Sequence, residues 1–235
     1  MSFGVSLTIF IVLIILLALS RTRLVYELSA ISLLIFGSAR HGVIFYSFIF
    51  LPGTIIHELS HWLVAELLQV RTGEITIFPD LEGETNSQRL GSVATAKSDP
   101  LRGFLIGLAP FLSGLGILLV LGQLFTWDLL WWQLSLVIYG VAVIGNSMMI
   151  SREDRRTWPF IVVFFALIGI LVFKYYPSLI VDHSRSIIAI MSPVNLILGV
   201  TVLLNLAIIS GSYFLRRLVE KMTKRRIISQ RGRYL

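Results

Sequence analysis

Long apolar stretches separated by short polar ones dominate this chain. Several approach the roughly 20 residues that an α-helix needs to cross a hydrocarbon core about 30 Å thick. The second is the shortest and contains Glu27, so it is either a seventh span or a tilted or re-entrant segment. The pattern predicts an all-α polytopic membrane protein with six or seven transmembrane helices. The candidate spans are residues 3–19, 24–37, 43–68, 103–123, 129–150, 157–175 and 192–215.

Composition supports this prediction. Of the 235 residues 56% are hydrophobic and 14% are charged, and the mean hydropathy is +0.85. A soluble domain has roughly one quarter charged residues, so the soluble class is excluded. The segment at residues 3–19 has no basic residue before it and no small-residue cleavage signal, and we interpret it as a retained span. Because the chain has no cysteine, it can form neither disulfides nor a thiolate metal site.

The polar region between the third and fourth spans has a different pattern. Residues 72–78 alternate apolar and polar positions, residues 80–88 are rich in turn formers, and residues 90–96 resume the strand pattern. This predicts a small cytoplasmic β-hairpin loop. It is either a solvated connector or an exposed strand edge to which an extended peptide adds by backbone hydrogen bonds, and the two interpretations are compatible.

Positive charge is concentrated at the C-terminus. Clustered cations can bind nucleic acid, but these directly follow an apolar span, which favours contact with anionic lipid headgroups over nucleic acid. Placing this tail in the cytoplasm puts the other basic clusters on the same side and the N-terminus outside, as in a prokaryotic plasma membrane, although an organelle would also suit. The tail contains Arg216, Arg217, Lys221, Lys224, Arg225, Arg226, Arg231 and Arg233.

The domain organisation follows from the spans. We expect N-terminal transmembrane helices at 1–42, a core with the candidate chemistry at 43–156, C-terminal transmembrane helices at 157–215 and the basic cytoplasmic tail at 216–235.

The core contains the sequence His57-Glu58-Leu59-Ser60-His61, which lies inside the apolar run from Val43 to Leu68. On a helix, two histidines four residues apart share one face, where their ring nitrogens can bind one Zn²⁺ while Glu58 transfers a proton. Ionisable groups inside a membrane span are expensive and indicate a functional site. The motif therefore predicts a zinc site within the membrane.

A hydrolytic zinc site has three protein ligands and one open position, so a third ligand is needed. Asp154 fits best by sidedness, because it and His61 both lie toward cytoplasmic helix ends, although Asp154 must then fold back toward the membrane. On spacing alone, its position among three arginines is more typical of a solvated charge cluster. Other candidate carboxylates are Glu66, near the end of the helix that contains the two histidines, and Asp80, Glu82 and Glu84 in a polar turn.

Together these residues resemble the site-2 protease family of intramembrane zinc metalloproteases. That family pairs HExxH with a later asparagine and, eight residues on, the ligand aspartate, and Asn146 and Asp154 have this spacing. The run from Gly107 to Pro110 is similar to the family's Gly-Pro region. The resemblance covers residues 48–158, and it departs where the family has proline and glycine and this chain has Met149 and Arg155.

The resemblance implies a zinc metalloendopeptidase that cleaves a membrane-tethered protein substrate. It implies Asp154 as the third ligand; Asp99, next to Pro100, is the reserve candidate. Asn146 would hold the substrate backbone or the developing oxyanion, although a buried asparagine that bonds a neighbouring helix is an alternative. Two other functions stay open, a catalytically silent zinc-binding scaffold for another membrane complex and a metal transporter.

Overall fold

The computed structural model describes residues 2–76, 92–96, 98–124, 129–149, 154 and 158–224. These residues form six helices and two strands: α1 (Phe3–Phe36), α2 (Ala39–Leu67), β1 (Thr72–Thr76), β2 (Ser92–Thr95), α3 (Pro100–Leu124), α4 (Trp131–Ser147), α5 (Trp158–Tyr175) and α6 (Pro177–Thr223).

Four segments of these helices are long and apolar enough to cross a membrane, which confirms the prediction of a helical membrane protein. They are Phe3–Phe36, Ile44–Leu67, Pro100–Leu124 and Ser186–Thr223. The helices α4 and α5 coincide with two further predicted spans and have 17 and 18 residues.

Helix α1 corrects one prediction about the N-terminal region. The segments predicted at residues 3–19 and 24–37 form a single helix of 34 residues. No glycine or proline interrupts it between them, and its polar side chains bond to α6 instead of marking a turn. The helix begins after Ser2, whose Oγ accepts a hydrogen bond from the Val5 N–H, and it ends at Gly37 with φ 71°. Gly37 occupies the left-handed conformation that glycine adopts without strain.

Helix α6 corrects the C-terminal boundaries. The stretch between the last two predicted spans, residues 176–192, is helical from Pro177 onwards; Pro177 occupies the first turn, where a missing N–H is tolerated. At its other end α6 continues to Thr223, past the predicted start of the basic tail. Arg216 is only 8% exposed and binds Glu27, so it is not part of a lipid-facing tail. Residues 225–235, which contain the rest of the predicted tail, lie outside the described part of the chain.

Three polar contacts align α1 with α6 in the same direction. The Asn195 amide donates to the Ser6 carbonyl (3.0 Å), the Asn205 amide donates to Ser20 Oγ (3.0 Å), and Arg216 Nε donates to Glu27 Oε2 (2.6 Å). The partners advance together along both helices. The start of α1 and the end of α6 therefore lie at opposite ends of this pair.

The main core lies where α1, α3, α4 and α6 meet. Its fully buried side chains include Leu17, Leu118 and Leu198. Small residues let the helices approach closely, because a Cβ at Gly145 would overlap with Thr201 and one at Gly114 would overlap with Met148. Such small-residue contacts are typical of helices packed in membranes. A Cβ at Gly53 of α2 would likewise overlap with Ser147, so the end of α4 packs against α2 and α3, where the candidate chemistry lies.

Strands β1 and β2 form a two-stranded antiparallel sheet after α2. Thr72 pairs with Thr95 and Ile75 pairs with Val93, with a shift in register between Thr72 and Ile75. The sheet is attached to the end of α2, because Thr72 Oγ1 donates a hydrogen bond to Glu66 Oε1 (2.8 Å). The predicted turn between the strands lies at residues outside the described ranges.

Candidate metal centre

The two histidines of the HExxH sequence lie on one face of α2, as their spacing predicts. Their Nε2 atoms are 3.2 Å apart. The rings are nearly perpendicular, with an interplanar angle of 83°. Two nitrogen lone pairs therefore point into the same small volume.

Asp154 contributes a carboxylate to this volume from a distant part of the chain. Its Oδ1 lies 3.3 Å from His61 Nε2, and its Oδ2 lies 3.9 Å from His57 Nε2. Ligands about 2.0–2.2 Å from a tetrahedral zinc ion are roughly 3.3 Å from one another. The three groups lie within 4.8 Å of one another and fit a shared metal ion. Imidazole and carboxylate are also donors that suit zinc.

Main-chain carbonyls orient both histidine rings. His57 Nδ1 lies 2.7 Å from the Ser147 carbonyl oxygen, and His61 Nδ1 lies 2.8 Å from the Ile106 carbonyl oxygen. A carbonyl only accepts hydrogen bonds, so each Nδ1 carries the proton and each Nε2 presents a lone pair. This tautomer is the one that metal-binding histidines use, with the second nitrogen held by an outer partner. The rings are therefore prepared for metal binding by α3 and α4.

Glu58 lies beside the three groups without belonging to them. It is 5% exposed and lies close enough to His61 and Asp154 to interact with them electrostatically. A buried carboxylate next to a metal-binding group is suited to proton transfer during hydrolysis.

The backbone around Asp154 explains how the carboxylate reaches α2. A Cβ at Gly107 would overlap with the Asp154 main-chain carbonyl, so the chain at Asp154 packs directly on the first turns of α3. Ile106 of the same turns holds His61. Asp154 thus lies at the depth of His61 and not beyond the end of α4.

Two other described carboxylates that the sequence offered as ligands have partners elsewhere. Glu66 accepts the hydrogen bond from Thr72. Asp99 caps α3, where Oδ1 accepts hydrogen bonds from the Leu101 N–H (3.1 Å) and the Arg102 N–H (3.0 Å). The Arg102 backbone donor holds the pKa of Asp99 below its ordinary value. Asp80, Glu82 and Glu84 lie outside the described residues.

Asn146 belongs to a helix contact. Its Nδ2 donates to the Ala142 carbonyl (2.7 Å) and to Asn205 Oδ1 (2.8 Å), and its Oδ1 accepts from Asn205 Nδ2 (3.0 Å). Both amide hydrogens are used, and the residue is 1% exposed. In this arrangement Asn146 has no hydrogen left for a substrate or an oxyanion. The contacts favour the helix-bonding alternative.

Sequence reasoning missed the outer partners of the site. The carbonyls of Ile106 and Ser147 leave no trace in residue type, because every residue has a carbonyl. Asn205 carried a weak signal, since an asparagine in an apolar span needs a polar partner.

A scan of the chain against protein-family models finds no match, and searches of curated proteins and of solved structures find none either.

Proposed function

We propose that this chain is a zinc-dependent intramembrane endopeptidase, similar to the site-2 protease family, that cleaves membrane-tethered proteins near the cytoplasmic face. The observation that carries the proposal is the convergence of His57, His61 and Asp154 within 4.8 Å, beside the buried carboxylate of Glu58.

The residues have distinct roles in this proposal. His57 and His61 hold zinc through Nε2, and Asp154 holds it through its carboxylate. When bound, zinc activates water for attack on a carbonyl carbon. Glu58 accepts a proton from the attacking water and then delivers it to the leaving amine of the cleaved peptide bond.

The number of ligands supports a catalytic site over a structural one. Structural zinc sites are closed by four protein ligands, whereas hydrolytic sites keep one position for water. Among the described residues the group has three members. A structural site also has no use for a buried general base such as Glu58. The alternative, a catalytically silent zinc-binding scaffold, has less support for these two reasons.

The sheet offers a means of holding substrate. A helical substrate has its carbonyls bonded internally, so it must be unwound before attack. Among the described residues each strand of the sheet has one outer edge without a neighbouring strand, to which an extended segment can add. Since Thr72 is bonded to Glu66 near the end of α2, a segment on this edge would lie close to the helix that contains Glu58. We propose that the sheet is a cytoplasmic hairpin that receives the unwound substrate.

We further propose that the protein lies in a prokaryotic plasma membrane, with the two ends of the α1–α6 pair on opposite sides of it. The parallel course of α1 and α6 supports opposite sides for the two ends of this pair. The end of α6 then presents its exposed cations, Arg217, Lys221 and Lys224, to anionic lipid headgroups and not to nucleic acid.

A Glu58→Gln variant tests the activity. It keeps the size of the side chain and the three metal-binding groups but has no carboxylate to accept the proton. We expect it to bind zinc like the unmodified protein and to lose cleavage. The measurement compares membrane-protein fragments in cells that produce either protein, together with the zinc content of both purified proteins.

Glu66→Gln is the matched control, because Glu66 lies on the same helix but bonds Thr72. Cleavage should survive this change. If fragments are the same with unmodified protein and with Glu58→Gln while both contain zinc, the endopeptidase proposal is wrong and the scaffold alternative is favoured.

A further inference from the structure

The carbonyl that orients His61 belongs to the interior of a helix. In an α-helix each carbonyl accepts the N–H of the residue four positions later. Ile106 lies within α3, yet its carbonyl oxygen is 2.8 Å from His61 Nδ1. The residue four positions after Ile106 is Pro110, which has no N–H.

We infer that Pro110 is a positioning residue for the metal ligand His61. By leaving the Ile106 carbonyl without its helical partner, Pro110 reserves that carbonyl for the His61 Nδ1–H, which fixes the tautomer and the direction of the Nε2 lone pair. This inference rests on the proposed metal function of the site. The role of Pro110 is to lack the backbone N–H that would otherwise bond to the Ile106 carbonyl.

The position of Pro110 supports this role. A proline in a helix interior removes one backbone hydrogen bond, and membrane helices tolerate it where the freed carbonyl finds another partner. Helix α3 continues through Pro110 to Leu124, so the proline does not end the helix. Its ring is fully buried. The buried ring contributes packing, and the freed carbonyl contributes a hydrogen bond to a metal ligand.

The other histidine also bonds to a carbonyl without a helical partner, but this carbonyl lies at a helix end. His57 is held by the carbonyl of Ser147, the last residue of α4. A carbonyl at a helix end has no partner within its helix. Both ligand rings are thus bonded to carbonyls that their own helices leave free, one at a helix end and one opposite a proline.

The size of the effect follows from carbonyl chemistry. A carbonyl oxygen has two lone pairs, so a restored N–H at position 110 would compete with His61 without excluding it. Loss of an outer partner of a metal ligand typically lowers metal affinity 10- to 100-fold. We therefore expect the lower end, a roughly 10-fold loss of Zn²⁺ affinity in Pro110→Ala.

Two substitutions at this position separate the N–H from the ring. Pro110→Ala removes the ring and supplies an N–H. Lactic acid introduced at position 110 by nonsense suppression has the same methyl group but an ester oxygen in place of the N–H. Both variants lose the packing of the proline ring. They differ in the group at position 110, which is an N–H in alanine and an ester oxygen in lactic acid. Pro193→Ala is the matched control, since Pro193 also lies inside a helix but is exposed.

The measurement is Zn²⁺ affinity of the full chain in detergent, by competition with a chelator, with the absorption spectrum of bound Co²⁺ as a second readout of ligand geometry. We expect Pro110→Ala to bind Zn²⁺ about 10-fold more weakly, with an altered Co²⁺ spectrum. The lactic acid variant should regain the affinity and spectrum of the unmodified protein, and Pro193→Ala should match them.

Two results would overturn the inference alone. One is equal Zn²⁺ affinity in the alanine and lactic acid variants. The other is a lactic acid variant that has lost Zn²⁺ affinity, which decides the matter even if Pro110→Ala does not fold. An unmodified protein without measurable Zn²⁺ affinity would instead remove the proposed function, and this inference with it.

Discussion

The main-chain carbonyl of Asp154 packs against Gly107, with no room for a side-chain carbon at position 107. Asp154 comes from outside the described helices, so this contact determines how closely its carboxylate approaches the two histidines of α2. The Gly-Pro region of the sequence thus serves the site at two positions, Gly107 beneath Asp154 and Pro110 opposite the carbonyl that holds His61.

Gly107→Ala is expected to weaken metal binding. The added methyl group would displace the Asp154 main chain and move its carboxylate away from His61. We expect Zn²⁺ affinity to fall by about 10-fold or more, which chelator competition measures. Gly116→Ala is the control in the same helix, where a Cβ meets nothing within 4 Å. Equal affinities for the two variants would show that the Gly107 contact does not position Asp154.

The sequence predicted the local part of the site and not its supports. His57 and His61 share a face because the helical period guarantees it. Asp154 required an argument from sidedness and a resemblance, because its partners are distant along the chain. The carbonyls of Ile106 and Ser147 could not be predicted, since backbone acceptors carry no residue signature.

The fold was likewise predicted from the sequence only in its local features. Apolar runs predicted helices, but a polar residue within a run could mean a turn or a buried contact. The polar residues 20–23 divided one helix into two predicted segments, whereas Ser20 and Glu27 bond to α6 within the continuous helix α1. The difference depends on a helix almost two hundred residues later, which local hydropathy does not include.

Asp154→Asn tests the third ligand. A neutral amide oxygen binds zinc more weakly than a carboxylate oxygen, so we expect a larger loss of Zn²⁺ affinity than the 10- to 100-fold typical of outer partners. The measurement is the zinc content of the purified protein after dialysis against a weak chelator.

Asp99→Asn provides the comparison for that change. Asp99 was the reserve candidate, but it caps α3, and asparagine caps helices about as well as aspartate. We expect Asp99→Asn to keep both its zinc and its stability. Zinc loss from Asp99→Asn, with retention in Asp154→Asn, would reverse the assignment.

Glu27→Gln is expected to destabilise the fold without altering the site. Glu27 has no exposed surface, and it binds Arg216 at 2.6 Å. Removing one partner of a buried ion pair typically costs about 3–5 kcal/mol. Arg216 keeps its bond to Glu220, so the lower end applies. Thermal unfolding in detergent measures the change.

Arg217→Gln is the control for the ion pair. Arg217 is 60% exposed and lies 3.6 Å from Glu220. Exposed pairs contribute about 1 kcal/mol or less, so its unfolding temperature should change little. A Glu27→Gln protein as stable as Arg217→Gln would mean that the buried pair contributes no net stability.

The contact between Asn146 and Asn205 is expected to stabilise the fold by about 0.6–1.7 kcal/mol, between the average and the maximum measured for hydrogen bonds between membrane helices. Each single change to leucine leaves the opposite amide without its partner. The double change removes both amides and therefore leaves fewer buried polar groups without a hydrogen bond. The stabilities of the two single variants and the double variant should therefore be non-additive. A double-mutant cycle of thermal or denaturant unfolding measures this coupling.

A second cycle with Asn195→Leu in place of Asn205→Leu is the control, because Asn195 bonds the Ser6 carbonyl in another part of α6. Its changes should add to those of Asn146→Leu. The same proteins separate the two roles considered for Asn146. If it acts on substrate, Asn146→Leu abolishes cleavage while Asn205→Leu does not; if it holds the end of α4, where the Ser147 carbonyl orients His57, both variants weaken zinc binding together.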